Sequence, residues 1–184
     1  MRILTLVVAL ALALTATFVQ AGWNPLADDK SEKSSAKGAE VAETIATFKA
    51  KDPGIQVFFD KAYGYAVFPT VGKGGIGIGG AYGKGEVYRR GKPIGTSSLS
   101  QLTIGFQLGG QAYSEIIFFK DKATLDRFTS GSFEFSAQAS AVALTAGASA
   151  DADYSNGVAI FTLAKGGLMY EASVGGQKFG FTPR

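Results

Sequence analysis

The chain has 184 residues, 46% of them hydrophobic, with 18 Lys and Arg against 15 Asp and Glu and a formal net charge of +3. It contains no Cys and no His, which excludes disulfides, Cys or His nucleophile and base chemistry, Cys/His zinc sites and His-ligated haem. So mild a positive balance is no footprint of a nucleic-acid partner, and 25 glycines without a three-residue period exclude collagen.

Met1-Arg2 is a short basic start, Ile3–Val19 is apolar with only Thr interruptions, and Val19-Gln20-Ala21 places small residues where a signal peptidase cuts. The apolar run falls short of the roughly 20 residues that a spanning helix needs. The expectation is a cleaved signal peptide over 1–21, a mature chain starting near Gly22, and a periplasmic or secreted protein. With no Cys after the cleavage site, a lipoprotein is not expected. Residues 22–30 read as a loose polar arm, and 31–184 as a single domain.

Helical periodicity runs from about Ser31 to Ala50, with Val41, Ile45 and Phe48 on one stripe and Lys33, Lys37, Glu40, Glu43 and Lys49 off it. Asp52 is placed to cap a second short helix, with Pro53 as its first residue. Ile55, Phe58, Phe59 and Ala62 give that helix an apolar face. From Tyr63 the period becomes two. Tyr65–Phe68 reads as a strand ended by Pro69. Gly75–Tyr88 alternates, with Ile76, Ile78, Tyr82, Glu86 and Tyr88 opposed to Gly77, Gly79, Ala81, Gly83 and Val87. Arg89–Pro93 is a basic turn. Leu102, Ile104, Phe106 and Leu108 continue as one long segment reaching Phe119. Asp121 caps a short helix carrying Leu125 and Phe128 and closed by Gly131.

Phe133–Asp153 reads as strand, because Ala137, Ala139, Ala141 and Ala143 alternate strictly, although alanine also suits helices. Ser155-Asn156-Gly157 is a hairpin turn, and Val158–Leu163, Leu168–Val174 and Lys178–Phe181 close the sheet. The fold class expected is α+β: a mostly antiparallel, strongly curled or barrel-like sheet with two N-terminal helices and one short inserted helix. The all-small faces of Gly and Ala let another backbone approach closely.

With no His, acid–base chemistry would fall to Asp, Glu, Lys or Tyr. The candidate carboxylates Glu86, Glu115, Glu134, Glu171, Asp151 and Asp153 place two on one element only at Asp151 and Asp153, so an enzyme is not expected. Gly75, Gly77 and Gly80 match a dinucleotide fingerprint, but inside a strand alternation rather than at a strand-to-helix turn. Asp151–Ser155 resembles the opening of a calcium loop without its glycine in place or its bidentate Glu. Lys73 and Lys165 stand in matching Lys-Gly-Gly contexts that suit solvated loops. No cofactor or metal is expected. The basic residues that would meet an anionic surface are Lys33, Lys37, Lys49 and Lys51 on the first helix and Arg89, Arg90 and Lys92 at the turn.

Ala66-Val67-Phe68-Pro69 with the glycine strand Gly74–Gly80 resembles the start of the SYLF lipid-binding domain. Gly105–Gln111 is similar to its central strand, Asp121–Phe128 to its short helix, and Tyr154-Ser155, Lys165–Leu168 and Ser173–Gly176 to its C-terminal motif. The resemblance covers essentially the whole mature chain. It implies lipid binding through a basic amphipathic N-terminal segment, here Lys33–Lys51, and actin binding as in fungal members. Phosphoinositides and actin are not expected in a bacterial envelope. The partner expected is therefore anionic lipid or a membrane surface, or an envelope protein, rather than actin. A purely structural or protein-interaction module docking through the small-residue sheet is the alternative.

Overall fold

The computed structural model of the chain describes residues 25–105, 110–136, 139–166 and 174–184, without the side chains of 25–34, 76–78 and 103–105. The expected signal peptide and cleavage site, the strand expected at Leu168–Val174 and Glu171 lie wholly or largely outside the described residues. So do Phe106, Leu108 and Ala137. Among the described residues no helix is long and apolar enough to cross a membrane.

The first helix, α1, runs Pro25–Lys51. It begins upstream of Ser31 and takes in part of the expected arm, because Pro suits a first helical turn and polar residues there need no buried face. Val41 and Phe48 are buried and Ile45 half-buried, so the apolar stripe is docked on the sheet. Asp52 then accepts a hydrogen bond from Gly54 N (3.0 Å) and starts a 3-10 turn at Pro53–Ile55, which leads into α2, Gln56–Lys61. Its second oxygen accepts from Ser149 N at 2.7 Å, tying the helix junction to a segment 97 residues away. These backbone donors hold the Asp52 carboxyl below the usual range. Because its native pKa is depressed, its stabilisation is present at neutral pH and lost as pH falls through the carboxylate range. Asp52→Ala orphans two N–H groups and is expected to cost about 2 kcal/mol at pH 7 in urea unfolding, with the deficit shrinking in acid.

The strands are β1 Gly64–Arg89, β2 Lys92–Gly105, β3 Gln111–Phe119, β4 Phe133–Glu134, β5 Val142–Ala143, β6 Val158–Lys165 and β7 Lys178–Pro183. A third helix, α3 Lys122–Thr129, is capped by Asp121, whose Oδ1 accepts from Thr124 N at 2.8 Å, and Gly131 at φ 83° follows it as expected. The sheet order is β4-β7-β2-β1-β3-β6-β5. All pairings are antiparallel except β5 with β6. The architecture is the expected α+β curled half-barrel.

Pro69 does not end a strand. The ladder to β3 shifts between Phe68 and Val71, with Phe68 opposite Glu115 and Val71 opposite Tyr113. That leaves one extra residue, a bulge, and a bulge tolerates the missing N–H of proline. The Pro69 carbonyl accepts from Ser114 Oγ at 2.7 Å. The 26 residues of β1 then double back. Residues 64–73 pair with β3 and residues 77–89 with β2. The two arms meet where Arg90 N donates to Tyr63 O at 3.1 Å and the Tyr65 and Tyr88 rings stack at 4.9 Å. Here the small face has its use: a Cβ on Gly85 would stand 2.4 Å from Val67 O and 2.8 Å from the Phe68 ring. Gly85→Ala is expected to lower the unfolding free energy measured in urea by about 1–3 kcal/mol, since backbone must move to admit the methyl.

Two further expectations change. The long segment from Leu102 to Phe119 is two strands, β2 and β3, both paired to β1, and Leu102 is 75% exposed. Among its described residues Phe133–Asp153 is mostly irregular, with the two-residue strands β4 and β5, a bridge at Ser140 and a 3-10 turn at Ala148–Asp151. Alanine alternation buries too little surface to hold a strand against the sheet, and the contacts come instead from Phe135 and Leu144. Alternation also fails on β3, which is buried on both faces from Tyr113 to Phe119. Ile117 and Phe119 join an interior cluster with Phe68, Phe128 and Phe179. Ile116 and Phe118 join a second cluster with Val41, Phe48, Ile55, Phe58 and Phe161 under the N-terminal helices.

Candidate functional site

The turn between β1 and β2 is a two-residue hairpin, with Arg89 opposite Lys92 and both Arg90 (φ 48°) and Gly91 (φ 75°) left-handed. It stands beside the last turn of α1 and the end of α2. Between them lies a groove of about 670 Å³ whose lining includes Lys49, Lys61, Arg90 and Lys120, with Asp60 as its acid. Asp60 Oδ1 is engaged by Gln56 Nε2 at 2.7 Å. None of the four cations forms an ion pair with a carboxylate among the described residues, although, beside the hydrogen bonds from Thr124, Lys120 helps to lower the neighbouring Asp121 carboxyl. Two of them lie over rings: Lys49 Nζ is 4.6 Å from the Phe59 centroid, and Arg90 Cζ is 5.2 Å from that of Tyr63.

The aromatic wall is itself a stack. Phe59 packs edge-on to Tyr65 at 5.2 Å, and Tyr65 lies flat on Tyr88. Desolvation raises the Tyr65 and Tyr88 phenols above their ordinary range, and Tyr88 Oη donates to Glu86 Oε2 at 2.7 Å, so both rings stay neutral. Cations held near ring faces and lacking carboxylate ion pairs suit an anionic group that meets them from solvent.

The groove joins Lys49 and Arg90 from the two predicted basic clusters. Arg89 and Lys92 flank the turn, and Lys51 follows Lys49; all three are exposed. Lys37 is half-buried about 18 Å along α1 from Lys49, by helical rise. It stands at the end where Glu40 accepts from Thr70 and Lys165 Nζ donates to Thr70 Oγ1 at 2.8 Å. The side chain of Lys33 lies outside the described residues. Lys61 and Lys120 are functional candidates that periodicity alone does not mark. The one local signal is the aromatic crowding of Phe58-Phe59-Asp60-Lys61-Ala62-Tyr63-Gly64-Tyr65.

Elsewhere, Gly75, Gly77 and Gly80 lie inside β1 with no helix following. Asp153 Oδ1 accepts from Tyr154 N at 2.6 Å, a local turn contact. Among the described residues no cluster of three or more acidic groups could hold a metal.

A curled sheet with two docked N-terminal helices and an inserted third defines an α+β domain. Residues 100–181 match the family described as "Ysc84: Las17-binding protein actin regulator", a SYLF-domain match over that stretch. Over 131 residues it is 31% identical to Beta cell expansion factor A of Aeromonas veronii, a stretch covering 70% of this chain and 49% of that relative. The chain thus spans about half the length of the curated relative it matches.

Proposed function

We propose that the protein is a non-enzymatic, exported lipid-binding domain that docks on anionic phospholipid through the groove at the β1–β2 turn. One observation carries the reading. Four cations from α1, α2, the turn and the end of β3 converge on one aromatic-walled groove without carboxylate ion pairs among the described residues. Each basic residue held near an anionic surface contributes about 1 kcal/mol, so four give weak, reversible, salt-sensitive association. The apolar stripe of α1 is docked in the core, which favours surface contact over insertion.

The alternative, a protein-interaction module using the small-residue face, loses support because Gly83 and Gly85 are covered by the first arm of β1 itself. Co-sedimentation tests the proposal. Phosphatidylglycerol vesicles should pellet the protein at low salt, neutral phosphatidylcholine vesicles should not, and binding should fade towards physiological salt. Filamentous actin should fail to pellet it. No binding to anionic vesicles at low salt sinks the proposal. Export is tested separately: mass spectrometry of envelope protein should find an N-terminus near Gly22, and the intact Met1 form would contradict it.

A further inference from the structure

Glu115 lies fully buried in the middle of β3, opposite Phe68 on β1 and Thr162 on β6. Its Oε2 accepts from Gln177 Nε2 at 3.0 Å, while among the described residues Oε1 has no hydrogen-bond partner, and neither has the neighbouring Thr162 Oγ1. The same Gln177 Nε2 donates to Tyr113 Oη at 3.1 Å. Gln177 in turn holds the turn that starts β7. Its N donates to Val174 O, its O accepts from Phe135 N, and Gly176 N donates to Phe135 O. Gln101 Nε2 adds a bond to Gly175 O at 2.9 Å. One side chain therefore ties a buried carboxyl to the closure of the half-barrel.

Among the described residues the surroundings offer no countercharge. Tyr113, on the same strand, is the titratable neighbour, and its phenol is pushed up by burial and by Glu115. Around them β1 contributes Ala66 and Phe68, β6 contributes Ile160 and Thr162, and β7 contributes Phe179 to the same cluster. Burial pushes the Glu115 carboxyl up to about 8, with the Gln177 bond offsetting part of the rise. A buried acceptor left unpaired is costly, and far more so once charged.

We propose that Glu115 is a proton-operated latch: protonated, it sits in the closed half-barrel, and on losing its proton it drives the Val174–Gln177 turn open to water. The turn is the element that gives way because β1, β3 and β6 are locked by long ladders and β7 is paired to β2 from Lys178 onward, whereas Val174–Gln177 is held by a few hydrogen bonds to Phe135 and Gln101 and within itself. The native pKa lies above the solvent-exposed value of 4.5. Stability conferred by the closed state is therefore complete below pH 4.5 and is lost as pH rises towards 8. Opening should become roughly tenfold more frequent per pH unit across that window.

Hydrogen exchange tests this, comparing wild type and Glu115→Gln at pH 5 and pH 7. Comparison at equal pH removes the intrinsic rate. Amides of 174–177 should exchange through an opening at least tenfold more frequent than the one releasing β6, and that opening should grow about 100-fold between pH 5 and 7 in wild type alone. Equal pH responses in the two proteins, or protection at 174–177 as high as in β6, overturns the latch. Should Glu115→Gln not fold, carbon NMR of the wild-type carboxyl decides. An inflection near pH 8 supports the proposal, and one near 4.5 overturns it.

Discussion

Reversing Lys49 and Arg90 together, Lys49→Glu with Arg90→Glu, should weaken binding to phosphatidylglycerol vesicles by roughly three orders of magnitude at low salt. Each reversal removes about 1 kcal/mol of attraction and adds a similar repulsion, so the pair is worth about 4 kcal/mol. The two residues come from elements 41 positions apart in the chain, yet both line the same groove. Lys33→Glu with Lys37→Glu, at the far end of α1, should change binding much less. Loss of two cation–π contacts costs about 1–2 kcal/mol of stability at most, so the fold should survive and the vesicle result can be read. Should the double reversal bind as wild type while the Lys33/Lys37 pair does not, the contact lies along the upper part of α1 and the groove is not the site.

Phe48→Ala should cost about 3–5 kcal/mol and lower the thermal midpoint by roughly 10 °C. Phe48 is fully buried, in one cluster with Val41, Ile55, Phe58, Phe118 and Phe161. Phe118 is the centre of that cluster, with ring contacts to Phe58, Phe59, Tyr65 and Phe161 at 4.8–6.1 Å. Truncating Phe48 leaves a cavity under α1 that this rigid stack cannot fill. Vesicle binding well below the midpoint should persist, because the groove cations remain. A midpoint shift under 2 °C, or a loss of binding equal to that of the charge reversals, would mean that the stripe detaches and inserts.

Local chemistry was legible without a structure. Asp52 with Pro53, and Asp121 with Gly131, mark helix ends because a carboxylate satisfies orphan N–H groups and glycine accepts a positive φ. Ser155-Asn156-Gly157 marks a tight turn in the same way, with Asn156 at φ 52° and Gly157 at φ 84°. Such signals act within a few residues and need no partner. The stripe of Val41, Ile45 and Phe48 also announced a buried helix face. What covered it, sheet or membrane, was not in the pattern, since both are apolar.

The bulge at Pro69 was not legible, because whether a proline ends a strand or sits in a bulge depends on the partner strand, here β3 with Ser114 reaching its carbonyl. Nor was the break between β2 and β3, since β1 lends a different arm to each. On β3 the burial of both faces removed the alternation that marks a half-buried strand. Of the described alanines at period two in Phe133–Asp153, only Ala143 joins a strand, the two-residue β5, for want of buried area.

The sequence by itself determined the chemistry available and the local ends of its elements: no Cys, no His, capped helices, glycine turns and an α+β order of periods. Only the tertiary structure decided that Lys49 and Arg90 share a groove with Lys61 and Lys120, and that Glu115 faces Gln177 across the interior. The reason is range. Caps and turns are settled by atoms a few bonds away, whereas the doubling back of β1 and the docking of α1 are settled by which distant surfaces bury each other, and those bring together residues that no spacing in the chain connects.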